Sequence, residues 1–223
     1  VVGASDDHTC RPGLAYPSTP EMTVLGGLAA VYVNEHSRNG IYDGMMARHC
    51  YGTTGARLYL NLSANGHSMG DINKTTCPVS IKGQVHGTAP IEYIALFNRS
   101  QELQRFKPNP ATYDANRVKI IWSGATHQDR GRFMRWDGGL QLSGGQMTGI
   151  QPLNIYTAKY GIDEWSGTHA KWRSVTSGQE EGVLLDIEGP DDAVINFTAG
   201  PAVFYFTLGE VRNGELRWDL GGL

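Results

Sequence analysis

At 223 residues the chain is long enough for one large domain or two small ones, and its 40% hydrophobic and 18% charged content is that of a globular protein. A formal net charge of -3 supplies no general field for nucleic acid or anionic lipid, and no apolar run approaches the length of a membrane span. No secretory leader pattern is visible, and 29 Gly with 10 Pro give the turn-rich texture of short-stranded β proteins.

Val1-Val2 reads as the end of a buried strand, so part of the protein is expected to precede this sequence. Gly3, Ser5, Pro12 and Gly13 mark the exit into a loop. If extended geometry persists to His8, Asp6 and His8 share one face and Asp7 takes the other. A carboxylate beside an imidazole is half of a site for zinc, manganese or iron. The competing reading is a polar loop with an Asx turn. Cys10 to Gly27 carries Pro12, Pro17 and Pro20, which make a stiff, irregular segment, either the wall of a site or a surface connection.

Leu28–Val33 is apolar and reads as a buried strand. Ser37 is a good N-cap for a helix over Arg38–Arg48, with Ile41, Tyr42, Met45 and Met46 on one side as expected core. Gly40 and Gly44 each weaken that helix by about 1 kcal/mol relative to Ala, so it needs tertiary packing. Arg48 and His49 stand near the Thr53-Thr54-Gly55 turn. They would suit an oxyanion, or simply complement the helix C-terminus.

From Ala56 the texture changes. Arg57–Leu62 alternates as a strand does, and Asn65-Gly66 is a hairpin signal. Further strands are expected at Val79–Val85, Ile91–Phe97, Val118–Trp122, Arg132–Trp136 and Leu140–Leu142. Others follow at Leu153–Tyr156, Ala170–Val175, Val183–Ile187, Ala193–Phe197 and Ala202–Leu208. Glycine-rich turns separate them, and no helix-length periodic segment follows Gly55. The fold class is therefore mainly β, an antiparallel sandwich-like region over 56–223 preceded by a short α/β segment over 1–55. His127, Asp129, Arg130, Arg132 and Arg135 cluster near Trp122 and Trp136. Rings and guanidinium forks of this kind suit a sugar or a carboxylate, while the plainer reading is a solvated strand face over packed aromatics. His67, His86 and His169 have no assignable role. Cys10, Cys50 and Cys77 allow at most one disulfide, and sequons begin at Asn61, Asn73, Asn98 and Asn196.

Ser5-Asp6-Asp7-His8-Thr9 followed by Arg11-Pro12-Gly13 resembles the last metal motif of the PHP superfamily. The branch it resembles most is DUF3604, through Gly26-Gly27-Leu28-Ala29-Ala30-Val31-Tyr32, then Arg38 with Ile41, then Arg48 to Arg57. The resemblance implies the end of a distorted (β/α)₇ barrel, a cluster of divalent metals at the strand ends, and phosphoester hydrolysis. On the matching motif the metal ligands here would be Asp6 and His8, with Arg11 or Arg48 available to neutralise a phosphate. The His-x-His motif that opens such barrels is absent from this sequence. The remaining ligands are thus expected from a missing N-terminal portion or a second chain, and this chain alone is expected to be inactive.

Two readings follow. In the first the chain is the C-terminal portion of a metal-dependent hydrolase acting on a small phosphoester, with no nucleic-acid partner and no membrane span. In the second it is a β-sandwich binding module, with carbohydrate as one candidate ligand, in which Asp6 and His8 are incidental.

Overall fold

The alternation that predicts strands after Ala56 is realised as antiparallel pairing in every sheet. The computed structural model describes residues 2–5, 25–107, 114–127, 132–157 and 159–221. They fall into two units, 2–5 with 25–107 in the first and 114–221 in the second. No sheet among the described residues closes into a barrel.

In the first unit β1 (Leu28–Val31) and β2 (Cys50–Thr53) pair with Leu28 opposite Thr53 and Val31 opposite Cys50. β1 is half-buried rather than buried. Val2 is 52% exposed and belongs to no strand, contrary to the buried strand end expected there. Between β1 and β2 runs α1 (Arg38–Met46), capped as its sequence predicts, with the Ser37 hydroxyl accepting from the Gly40 amide at 3.1 Å.

The helix stops two residues short of Arg48. Arg48 takes a left-handed conformation (φ 65°), its amide donates to the Met45 carbonyl, and the His49 amide donates to the Gly44 carbonyl. This is a Schellman-type end with Arg where glycine is usual. The expected apolar face of α1 is not core. Gly44 is turned to β1, where a Cβ would come within 2.5 Å of the Tyr32 carbonyl oxygen. Ile41, Tyr42, Met45 and Met46 are left between 40% and 63% exposed.

β3 (Tyr59–Ala64) pairs with β4 (His67–Ser68) across the Asn65-Gly66 turn and with β5 (Ile81–His86). Both turn residues have positive φ, 50° and 84°, as a two-residue hairpin requires. β6 (Ile94–Asn98) pairs with β7 (Gln101–Phe106). The Tyr32 hydroxyl donates to the Leu60 carbonyl at 2.5 Å and the Tyr51 hydroxyl to that of Leu58 at 2.8 Å. Burial, reinforced by the neighbouring Tyr59 hydroxyl, pushes the Tyr32 phenol up to about 12, so it remains a neutral donor at ordinary pH. These bonds tie β1 and β2 to the strand beyond Gly55. Gly55 thus lies inside the first unit, and the units divide between 107 and 114.

In the second unit the strands are β8 (Arg117–Ser123), β9 (Met134–Arg135), β10 (Gly138–Ser143), β11 (Gln146–Leu153) and β12 (Gly161–Trp165). They continue with β13 (His169–Arg173), β14 (Val175–Thr176), β15 (Glu180–Glu188), β16 (Val194–Ala199) and β17 (Ala202–Thr207). One sheet has the order β12-β13-β10-β16-β17, a second β11-β15-β8, and β14 pairs with β9. The strand expected at Leu153–Tyr156 instead ends at Leu153. A short helix that the apolar periodicity does not announce, α2 (Leu208–Asn213), follows β17 with a complete capping box between Thr207 and Glu210.

Both larger sheets turn apolar residues into one core. Leu140, Leu142, Ala170, Trp172, Ile195 and Phe197 come from the five-stranded sheet, and Val118, Trp122, Met147, Val183, Leu185 and Ile187 from the three-stranded one. Trp122 and Trp172 stack with centroids 5.3 Å apart and planes 14° from parallel, and Phe197 leans on both. Every fully buried hydrophobic side chain among the described residues lies in this second unit.

Candidate functional site

Asp6, His8 and Arg11 lie outside the described residues. Arg48 is described, and the structure places it with residues that carry no signal of their own in the sequence. Its Nε donates to the Gly70 carbonyl at 3.0 Å. Next to it His49 Nε2 lies 3.0 Å from Asp71 Oδ1, while Asp71 Oδ2 accepts from the Ser68 amide at 2.9 Å. The hydrogen bond from His49 chiefly, with a lesser contribution from the Ser68 amide, holds the Asp71 carboxyl below its ordinary range against the opposing effect of desolvation. A carboxyl lowered in the folded state contributes stability above its unfolded value, and the contribution fades as acid protonates it. The pair is half-exposed, so the contribution is small.

The left-handed Arg48 is thus fastened by its guanidinium and backed by the segment 67–71. Gly70 has φ 98°, and a Cβ there would stand 2.2 Å from the Arg48 carbonyl oxygen. Gly70→Ala is expected to cost about 2 kcal/mol and to loosen the Arg48–His49 corner, read as a lower urea midpoint and loss of amide protection at Arg48 and His49. Among the described residues no three His, Cys, Asp or Glu side chains converge as a metal ion would require.

The comparison with known families falls on this same stretch of chain. Residues 4–81 match the family described as protein of unknown function (DUF3604). The match takes in Asp6, His8 and Arg11 as well as Arg48, His49, Gly70 and Asp71. An uncharacterized protein of Chlamydia pneumoniae is 29% identical over 120 residues, which are 51% of this chain and 19% of that protein. Uncharacterized proteins of Chlamydia trachomatis and Chlamydia muridarum are 31% and 30% identical, over 40% and 51% of this chain and 15% and 19% of their own lengths. The chain therefore aligns with a fifth or less of the relatives it matches. No solved structure matches it.

Beyond the DUF3604 match, neither indole of the group around Trp122 and Trp136 offers a face to a ligand. Asp129 and Arg130 lie outside the described residues. Both indoles point inward, 6% and 4% exposed, with Trp122 Nε1 donating to Ser174 Oγ and Trp136 Nε1 to Thr176 Oγ1. The plainer expectation, packed aromatics, is what the structure has. Beneath Trp122 sits a buried acid with no motif around it in the sequence. Glu181 is fully buried, accepts from Ser174 Oγ at 2.7 Å and meets Gln179 Nε2 at 3.3 Å. Its signal was available, because Glu181 is in phase with the inward-facing Val183, Leu185 and Ile187 of β15.

Proposed function

We propose that the chain is the C-terminal portion of a larger metal-dependent hydrolase, a phosphoesterase acting on a small-molecule substrate. Asp6 and His8 would hold a zinc, manganese or iron ion together with ligands from other sequence or a second chain. As a carboxylate and an imidazole they suit all three metals, and a site of that kind supplies an activated water and a clamp for phosphoryl oxygen. The role left to this chain's cations is charge neutralisation. Arg48, anchored through Nε on Gly70, would present its terminal nitrogens to a phosphate, with Arg11 as a second donor.

The observation that carries the reading is the bare apolar face of α1 inside the DUF3604 match. Ile41, Tyr42, Met45 and Met46 are 40–63% exposed, and none of the described hydrophobic side chains of that unit is fully buried. An apolar face of this kind marks a surface to be covered, and the remainder of a barrel would cover it. The second unit, on this reading, is an antiparallel β-sandwich whose two sheets close over the Trp122–Trp172 stack.

The test compares this chain with a longer polypeptide that contains it, by elemental analysis and hydrolysis of p-nitrophenyl phosphate. Metal and activity are expected in the longer form alone. Asp6→Ala and His8→Ala are expected to abolish both while the thermal unfolding curve stays in place. Full activity in both variants would overturn the ligand assignment.

A further inference from the structure

We propose that the outer face of the five-stranded sheet binds a neutral glycan. The inference is independent of the hydrolase reading, because it uses none of the residues 1–113. A shallow, open depression of about 600 Å³ lies across β13, β10 and β16. Two rungs of cross-strand neighbours line it. His169, Gln141 and Asn196 lie side by side in one, and Lys171, Gly139 and Thr198 in the next. Gly139, lacking a side chain, leaves the middle of the second rung low.

The chemistry of the two rungs favours hydroxyl groups over charge. Gln141 and Asn196 each bring an acceptor and a donor in one planar amide, which is what a pair of adjacent sugar hydroxyls requires. His169 is fixed by Ser166 Oγ at its Nδ1, 2.7 Å away, so its other ring nitrogen is the one available to a ligand. Lys171 is already matched by Glu164 at 2.5 Å, which leaves the depression without a net cationic field for phosphate, sulfate or nucleic acid. Asn196 Oδ1 is shielded from solvent and has no hydrogen-bond partner. A ligand hydroxyl would satisfy this oxygen once the amide turns it outward.

The third requirement of a sugar is an apolar surface for its C–H face. Tyr205 is the cross-strand partner of Asn196 and is 69% exposed. Directly opposed residues share a face and stand about 5 Å apart at Cβ, so the phenol ring stands at the end of the Gln141–Asn196 rung. Amphipathic aromatic rings of this kind combine stacking area with a polar tip. Val203, opposite Thr198 and 56% exposed, extends the same apolar margin.

The experiment is calorimetric titration of the intact chain with neutral hexasaccharides of glucose, xylose, mannose and N-acetylglucosamine, and with a sulfated oligosaccharide. At least one neutral probe is expected to bind. Tyr205→Ala and Gln141→Ala, both at exposed positions, are expected to weaken it by about tenfold or more with unchanged melting temperatures. Asp6→Ala is expected to leave glycan binding untouched, so loss of hydrolase activity and loss of glycan binding report on separate sites. Binding to none of the neutral probes, binding to the sulfated probe alone, or equal binding by wild type, Tyr205→Ala and Gln141→Ala would each overturn the proposal.

Discussion

Trp172→Ala is expected to be the most destabilising single substitution in the second unit, removing a large share of its stability. Trp172 is 1% exposed, stacks on Trp122 from the opposite sheet, touches Phe197 at 5.5 Å between centroids, and donates its Nε1 to the Trp136 carbonyl at 3.0 Å. Removing it takes away one of the core's three tryptophans and leaves a void between the sheets. Such truncations cost about 3–5 kcal/mol, against about 5–15 kcal/mol for the whole stability of a domain. The orphaned Trp136 carbonyl adds to the loss. Trp172→Phe is the control. It keeps a stacked ring and loses the hydrogen bond, and a cost of about 2 kcal/mol is expected. Urea unfolding followed by far-UV circular dichroism reads both. A Trp172→Ala midpoint within error of wild type would mean that the two sheets are held together by something other than this stack.

The parts of this core that were legible in the sequence are those where alternation and burial agree. Val183, Leu185 and Ile187 alternate with partly or fully exposed neighbours in the second half of β15, and all three are fully buried. The Ser37 cap and the Asn65-Gly66 hairpin were legible for the same reason, since a local rule and the tertiary structure ask for the same thing. β7 was not, because Gln101-Glu102-Leu103-Gln104-Arg105-Phe106 is exposed throughout and its strand exists only by pairing with β6. β12 fails similarly, carrying a bulge and a polar Asp163-Glu164 pair.

The side of α1 that packs differs from the apolar one because helical periodicity identifies an apolar face but not its partner. Gly44, invisible to a hydrophobic pattern, decides which side approaches β1. The Asp6-x-His8 spacing lies outside the described residues and enters only the proposal. The corner around Arg48 was only half legible, because Gly70 and Asp71 reach it from the far end of a hairpin. The depression on the five-stranded sheet was not legible at all. Gln141, His169 and Asn196 are far apart in the chain, and only the strand order β13-β10-β16 makes them neighbours.

Glu181→Ala is expected to be the other severe substitution in the second unit. The carboxylate side chain is buried between the sheets and is the acceptor for the Ser174 hydroxyl, which itself accepts from Trp122 Nε1 at 2.7 Å. A chain of this kind gains from being complete, and each member that loses its partner is left in a medium that offers no water. Alanine removes the acceptor, opens a cavity under Trp122 and strands the Ser174 proton. The expected cost is about 3 kcal/mol. Glu181→Gln keeps the volume and one acceptor oxygen, and about 1–2 kcal/mol is expected. The informative variant is Glu181→Leu combined with Ser174→Ala. If the loss comes from unmade hydrogen bonds, removing the hydroxyl together with its acceptor recovers part of it, measured as a positive coupling in a double-mutant cycle. Strict additivity of the two changes would place the destabilisation in lost packing around Trp122 instead, and would make the buried carboxylate a passive occupant of its pocket.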